Sequence, residues 1–224
     1  MTNIPKIAKT LSGSILLDGD ELNVREWGLN PSDLSGDLIS PKEAFKHLHS
    51  LHPLRHLVVG IIGPREASES QMAAAERIGY HLGSLGITLI CGGKSGVMTA
   101  VSKGCNEANG IMIGILPGNS PDDANEFVGI PLPTGLGEAR NMVIAKSARV
   151  LIAVGGSYGT LSEVAYGLHF SKPVIGLESA PNVQGVIHVE DPEQAVHAAL
   201  EALFFSASYP HSNGGCKFPY MPKR

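Results

Sequence analysis

The chain contains six short apolar runs, separated by longer segments in which apolar residues recur with a helical period. The runs are rich in β-branched residues and lack the alternating polar positions of a half-exposed strand. Such runs are typical of strands buried on both faces of a parallel sheet. They cover residues 57–62, 87–91, 111–116, 150–154, 173–177 and 185–189.

The segments between the runs predict helices at residues 68–84, 95–109, 137–148, 158–170 and 191–204. Alternation of this kind predicts an α/β fold with a doubly wound, mostly parallel sheet of six to seven strands, a modified Rossmann architecture. We assign residues 56–205 to this nucleotide-binding domain. Right-handed connections then place the carboxyl ends of the strands at one edge of the sheet, where ligands bind in this fold class.

The first 55 residues do not follow this rhythm. Residues 14–28 predict a hairpin around Asp18-Gly19-Asp20, a turn-prone triplet. A capping serine followed by a proline predicts a short helix over 41–50. We interpret residues 1–55 as an N-terminal arm that packs on the main domain or on a partner subunit, with Trp27 as an anchoring aromatic residue.

The other end of the chain, residues 206–224, is rich in Pro, Gly and Ser and has no hydrophobic period. We expect a C-terminal tail that is mobile or ordered only by contacts.

Glycine is the one unusual feature of the composition: the chain has 27, of which 18 lie between Gly60 and Gly159. Three of the glycine-rich corners follow predicted strands. Glycine lets the chain turn sharply and lets backbone N–H groups approach an anion, and a helix amino end adds unpaired donors. The corners therefore predict a phosphate cradle. Its candidate residues are Gly63 and Pro64, then Gly92, Gly93, Lys94 and Gly96, and finally Gly155, Gly156, Ser157, Tyr158, Gly159 and Thr160.

Two familiar phosphate-binding motifs do not fit these corners. The GKS at 93–95 resembles the end of a P-loop, but Thr88 stands where that loop needs its first glycine. Neither of the two Gly-Gly corners reads G-x-G-x-x-G with an acidic residue on the next strand, so a dinucleotide dehydrogenase is not expected. We expect a ligand with a single phosphate or pyrophosphate end. The alternative to a phosphate cradle, that the glycines of these corners serve only tight packing of the chain, stays open.

Two charged side chains are the candidates for chemistry. Arg140 precedes the fourth strand, and Glu163 lies three residues after Thr160 on the following helix, so Thr160 and Glu163 share one face of that helix. An arginine holds a phosphate or carboxylate through two hydrogen bonds. An Arg/Glu pair in a glycine-lined cleft suits a reaction in which a sugar ring develops positive charge. Structural roles on the helix surface remain the alternative for both residues.

The remaining composition excludes several classes of protein. A formal net charge of −4 lacks the basic footprint of a nucleic-acid binder, and no apolar run approaches the roughly 18 residues of a membrane span. The first residues show no secretory signal, and three cysteines favour a reduced, cytoplasmic setting over a disulfide framework. Histidines 47, 49, 52 and 56 are interrupted by a proline, so we expect no metal site there.

These motifs, in this order, resemble the LONELY GUY (LOG) family, often mislabelled lysine decarboxylases, within the LOG/DprA-like Rossmann superfamily. The resemblance covers roughly residues 57–178. CGGKSGVM at 91–98 is similar to the family's Gly-Gly-x-x-Gly-(Leu/Val)-Met loop, which adds Met98 to the candidate ligand-binding residues. GGSYGTLSE at 155–163 is similar to Pro-Gly-Gly-x-Gly-Thr-x-x-Glu, and Arg140 stands where the family has its catalytic arginine.

The resemblance implies an enzyme that hydrolyses the N-glycosidic bond of a nucleoside 5′-monophosphate, with Arg140 and Glu163 at the ribose and no required cofactor. It also implies at least a homodimer. The chain departs from the family pattern in three respects: the motif proline is absent, Ser157 replaces a motif glycine, and the family's Arg-Lys pair is Arg140-Asn141. The Arg-Asn pair resembles a neighbouring branch that includes molybdenum-cofactor carrier proteins. A non-catalytic carrier or sensor of molybdenum cofactor, or of another phosphorylated pterin or nucleotide, is therefore the alternative, with Asn141 among its ligand-binding residues.

Overall fold

A seven-stranded parallel sheet forms the centre of the computed structural model, which describes residues 5–208. Its strands are β6 (Val58–Ile62), β7 (Thr88–Cys91), β8 (Met112–Leu116), β9 (Ile130–Pro133), β10 (Val150–Val154), β11 (Val174–Leu177) and β12 (Val186–His188). The strand order is β12-β11-β10-β6-β7-β8-β9, and every neighbouring pair is parallel. The predicted doubly wound α/β fold is therefore confirmed.

Helices cover both faces of this sheet. Residues of β10 alternate between two hydrophobic clusters, with Ile152 on one face and Leu151 on the other. The helices are α1 (Pro41–Leu51), α2 (Glu69–Gly83), α3 (Val97–Glu107), α4 (Arg140–Ser147), α5 (Tyr158–His169) and α6 (Pro192–Ala207). The first cluster contains residues of α1, α2, α3 and α6, and the second contains residues of α4 and α5.

The predicted helix over 137–148 is shorter than expected, because a 3-10 turn at Gly137–Ala139 comes before α4. β9 had no counterpart among the apolar runs. It is an edge strand that contains Pro131 and Pro133 and is largely exposed, and edge positions are where a sheet tolerates proline.

A second, five-stranded antiparallel sheet is formed by residues 7–38, with strand order β4-β3-β2-β1-β5. The turn between β2 and β3 lies at Asp18 and Gly19, both with positive φ. Three further strands, β1, β4 and β5, extend this hairpin beyond the predicted pair. The strands are β1 (Ile7–Lys9), β2 (Ile15–Leu17), β3 (Asp20–Asn23), β4 (Gly28–Asn30) and β5 (Asp37–Leu38).

Trp27 connects this small sheet to the last helix. Its side chain is fully buried, and its indole N–H donates a hydrogen bond of 2.8 Å to the carbonyl oxygen of Leu203. The ring stacks on Phe204 at a centroid distance of 5.8 Å and also packs against Phe45 of α1. Burial of a large aromatic ring with its polar atom satisfied is strongly stabilising, so Trp27 is an anchor of residues 7–38 on α1 and α6.

The last helix ends at Ala207, so residues 206 and 207 of the predicted tail are helical. The rest of that prediction falls on residues 209–224, which lie outside the described part of the chain. Across residues 5–208, none of the helices combines the length and the apolar character needed to cross a bilayer.

Candidate functional site

A cleft opens at the carboxyl ends of β6 and β10, which are neighbours in the sheet. The helices that follow these strands, α2 and α5, cover opposite faces, so the two connecting loops diverge and leave a crevice between them. Its volume is about 440 Å³, which is within the range of small-molecule sites. The predicted residues that line it are Gly63, Pro64, Gly92, Met98, Arg140, Asn141, Gly156, Ser157, Gly159, Thr160 and Glu163.

Arg140 and Glu163 form an ion pair inside this cleft. Arg140 begins α4, Glu163 lies on α5, and a guanidinium N–H donates to Oε1 of Glu163 at 3.0 Å. Both residues are buried, with 4% and 5% of their surface exposed. Burial raises the pKa of Glu163 to about 7, because the loss of hydration outweighs the opposing effect of Arg140. This carboxyl can therefore gain or lose a proton near neutral pH.

The position of Arg140 depends on Gly92 at the end of β7. A Cβ built on Gly92 would lie 2.6 Å from Cζ of Arg140, closer than real side chains approach. The absence of a side chain at position 92 thus gives the guanidinium its place beside Glu163.

The amino end of α5 forms another wall of the cleft. Ser157 caps the helix, since its hydroxyl accepts a hydrogen bond of 3.3 Å from the backbone N–H of Thr160. The two hydroxyls lie 3.1 Å apart, and Thr160 is almost completely buried. A helix amino end carries unpaired N–H donors and a partial positive charge. This wall therefore suits an anionic group.

Asn141 holds α4 against α5. Its amide nitrogen donates to the hydroxyl of Ser162 at 2.8 Å and to the carbonyl oxygen of Gly159 at 3.4 Å. These two bonds fix the orientation of the amide. Within residues 5–208, two buried polar atoms of the cleft residues find no partner: Oδ1 of Asn141 and Nε of Arg140. Buried polar groups are rarely left unpaired, so this donor and this acceptor are unusual features of the cleft residues.

The structure keeps five other predicted residues outside the cleft lining: Gly93, Lys94, Gly96, Gly155 and Tyr158. The ammonium group of Lys94 donates instead to the carbonyl oxygen of Asp123 at 2.8 Å, and the side chain of Tyr158 is 93% exposed. The φ of Gly96 is +68°, and a Cβ there would meet the carbonyl oxygen of Pro64 at 2.5 Å. Gly96 thus packs against the Gly63-Pro64 corner that follows β6, although it does not line the cleft itself.

Three charged residues of the cleft were absent from the sequence-based candidates: Arg65, Glu66 and Glu138. Arg65 and Glu138 form an ion pair of 3.1 Å although 73 positions separate them. Arg65 directly follows the Gly63-Pro64 corner, and Glu138 lies two residues before Arg140. Their position beside predicted site residues was the signal by which the sequence could have identified them. The charge of Glu138 also contributes to the raised pKa of Glu163.

Cys91 and His47, considered at the outset, have structural partners. Cys91 is fully buried and accepts a hydrogen bond from the backbone N–H of Gly93, while burial raises the pKa of its thiol. The ring of His47 shares a hydrogen bond of 2.7 Å with the carbonyl oxygen of Gly13. In the described range no three His, Cys, Asp or Glu side chains are grouped so that they could hold a metal ion.

Comparison with other proteins gives relatives for the domain that carries the cleft. An uncharacterized protein of Archaeoglobus fulgidus is 37% identical over 149 residues, which cover 66% of this chain and 98% of that protein. A probable cytokinin riboside 5′-monophosphate phosphoribohydrolase of Oryza sativa subsp. japonica is 34% identical over 98 residues, 42% of this chain and 40% of the rice protein. The chain thus spans less than half the length of the rice relative.

The molybdenum cofactor binding protein from Rippkaea orientalis is a similar solved structure, with a TM-score of 0.62, 34% identity, and coverage of 65% of this chain and 96% of that one. The Moco carrier protein from Chlamydomonas reinhardtii has a TM-score of 0.62 and 36% identity, and covers 66% and 98%. The profile of the SLOG cluster4 family matches residues 56–202. The resemblance to the LOG superfamily near molybdenum-cofactor carriers is confirmed, and the chain belongs to the SLOG cluster4 family.

Proposed function

We propose that the cleft binds a phosphate-bearing small molecule and that the protein is a carrier of molybdenum cofactor, with the cofactor as its cargo. The amino end of α5 would hold the phosphate through the backbone at Gly156 and the hydroxyls of Ser157 and Thr160. Such a wall binds an anion without needing a basic side chain. The similarity to the two molybdenum-cofactor proteins, which extends over 96% and 98% of those chains, supports the carrier function over the hydrolase.

The observation that carries the proposal is the unpaired donor and acceptor at Arg140 Nε and Asn141 Oδ1. The ring of a pterin offers both hydrogen-bond donors and acceptors, so it fits a site with one of each. The cleft volume of about 440 Å³ accommodates a bicyclic or tricyclic ring with one phosphate.

Molybdenum content tests this function. The protein is purified from a host that makes molybdenum cofactor, and molybdenum per chain is measured by elemental mass spectrometry. We expect the wild-type protein to retain molybdenum and Arg140→Lys, which lacks Nε–H in its native place, to lose most of it. Arg77→Lys is the matched control, because Arg77 pairs with Glu193 on the surface outside the cleft lining. A wild-type protein that retains no molybdenum and gains no thermal stability from a phosphorylated pterin would overturn the carrier function.

A second function is favoured by Glu163. A buried carboxyl whose pKa is near 7, held beside an arginine, suits the hydrolysis of the N-glycosidic bond of a nucleoside 5′-monophosphate. Ionised Glu163 would stabilise the positive charge that develops on the ribose while water adds at its anomeric carbon and the base leaves. We infer this activity as the alternative, and the rice relative supports it.

Release of free base from a panel of nucleoside 5′-monophosphates tests the alternative. We expect an active wild type and a loss of about 10²-fold or more in Glu163→Gln, the size of effect typical of one electrostatic group in a closed site. Equal rates for wild type and Glu163→Gln on every nucleotide would exclude the hydrolase.

The proposed assembly is a homodimer through α4 and α5. These helices expose apolar side chains at Met142, Tyr158, Leu161 and Tyr166, and grouped apolar residues on a surface are typical of interfaces. Light scattering after size-exclusion chromatography tests this, with a mass of twice 23.5 kDa as the expected result. A monomeric mass would contradict it.

A further inference from the structure

Arg65 combines a fixed backbone with a half-exposed side chain at the rim of the cleft. The carbonyl oxygen of the preceding residue, Pro64, accepts a hydrogen bond of 3.2 Å from the backbone N–H of Val97. Gly96 packs against the same carbonyl, so the corner cannot move toward α3. The side chain of Arg65 is nevertheless about half exposed. The corner thus presents a guanidinium to the cleft from a rigid base.

The partner of Arg65 is a carboxylate across the rim. Glu138 lies in the 3-10 turn before α4, and its Oε1 is 3.1 Å from the guanidinium. With 69% of its side chain exposed, Glu138 is well hydrated, and exposed ion pairs contribute little to stability. This pair can be broken at small cost.

The charges of the cleft lining disfavour an anionic ligand as long as Arg65 stays paired with Glu138. Arg65 and Arg140 are opposed by Glu66, Glu138 and Glu163, and Arg140 is already bound to Glu163. Arg65 is therefore the cationic side chain of the lining whose present partner can be replaced without exposing a buried charge. A phosphate competes well for an arginine, because the two form paired, charge-assisted hydrogen bonds.

We propose that Arg65 is a specificity-determining residue that binds the anionic group of the ligand, and that Glu138 is the carboxylate it leaves when the ligand enters. This inference rests on the proposed function, since it assumes that the cleft receives a phosphate-bearing ligand. It assigns to the β6 corner a direct contact with the ligand that complements the amino end of α5.

The test is a cycle of Arg65→Gln, Glu138→Gln and the double variant, with inorganic pyrophosphate as the probe at constant ionic strength. Apparent dissociation constants come from the shift of the melting temperature. We expect Arg65→Gln to weaken binding about tenfold, the fold-change of a lost hydrogen bond to a charged group. Glu138→Gln should tighten binding about threefold, because it removes the competing carboxylate.

The double variant distinguishes a direct exchange, in which the ligand replaces Glu138 as the partner of Arg65, from a general effect of the Glu138 charge on binding. Direct exchange predicts that Glu138→Gln no longer changes binding once Arg65 is absent. Glu66→Gln is the matched control, because it removes the same charge from the same lining. Additive effects, or equal tightening by Glu66→Gln and Glu138→Gln, would overturn the exchange.

Other outcomes separate this inference from the proposed function. Pyrophosphate binding that Arg65→Gln leaves unchanged but Thr160→Val weakens would overturn the role of Arg65 and keep the phosphate site at α5. Weaker binding in Glu138→Gln would show that Glu138 positions Arg65 for the ligand, which also overturns the exchange. A wild type that binds no pyrophosphate would overturn the inference itself, while molybdenum retention would still support the carrier.

Discussion

The guanidinium of Arg140 lies over the α-carbon of Gly92, so close that a methyl group at position 92 would be 2.6 Å from Cζ. The ion pair of Arg140 and Glu163, on α4 and α5, is therefore coupled to a residue without a side chain in the loop that follows β7.

Substitution of Gly92 by alanine should displace Arg140 and separate it from Glu163. We expect a loss of roughly 1–3 kcal/mol in the free energy of unfolding, as for other overpacked interiors, together with loss of ligand binding. Urea denaturation and molybdenum content measure the two effects. Gly129→Ala is the control, since a Cβ there has its nearest neighbour at 3.6 Å. Unchanged binding in Gly92→Ala would contradict the coupling.

The pKa of Glu163 predicts a pH dependence of stability with a definite sign. Burial raises this pKa from its ordinary 4.5 to about 7, so between these values the folded state holds a proton that the unfolded state releases. The free energy of unfolding then falls as pH rises through this window, by up to about 1.4 kcal/mol per pH unit, and levels off above pH 7. Below pH 4.5 both states are protonated and the effect is constant.

Glu163→Gln should remove this slope. Urea denaturation of wild type and variant from pH 4 to pH 8 gives the difference in unfolding free energy at each pH. The difference should change between pH 4.5 and 7 and be flat on either side. Parallel curves for the two proteins would show that Glu163 does not titrate in that window.

Two serines allow helix capping to be separated from ligand binding. Ser157 caps α5 inside the cleft, and Ser68 caps α2 outside its lining. Each alanine variant should lose about 1 kcal/mol of stability. Only Ser157→Ala should also weaken the binding of inorganic pyrophosphate, measured by the shift in melting temperature. An equal effect of Ser68→Ala on binding would assign the loss to stability alone.

Trp27 predicts how the N-terminal sheet contributes to stability. Trp27→Ala should cost about 3–5 kcal/mol, the range for removing a large buried aromatic side chain. Trp27→Phe keeps most of the packing on Phe204 and should cost less, with the loss of the hydrogen bond to Leu203 accounting for about 1 kcal/mol. Chemical denaturation followed by circular dichroism measures both. A cost below 1 kcal/mol for Trp27→Ala would show that the sheet is not fastened through this residue.

The parts of the molecule that could be predicted are those with a local signal. Apolar runs without polar alternation identified six of the seven strands of the large sheet, because burial on both faces leaves that pattern in the sequence. β9 lacks it, since an edge strand with two prolines needs neither full burial nor every ladder hydrogen bond. In the small sheet, β1 and β4 have three residues each and β5 has two, too few to show a period.

The same distinction holds for the candidate site. Arg140 and Glu163 were predicted as a pair in the glycine-lined cleft, because Glu163 follows Thr160 by one helical turn and Arg140 precedes the strand that leads to this helix. Lys94 lies outside the cleft lining because its ammonium group donates to the carbonyl oxygen of Asp123. This contact between two loops leaves no local pattern in the sequence. The pairing of Arg65 with Glu138 joins two corners that only the folded chain brings together.

The contact between Trp27 and Phe204 also makes two regions of the chain depend on each other. The family match ends at residue 202, and Phe204 just beyond it is buried between Trp27 and Phe45, both of which precede the match. A relative whose last helix reaches this position but which has no N-terminal sheet would expose a phenylalanine here to water. We therefore expect such relatives to have a polar residue in place of Phe204.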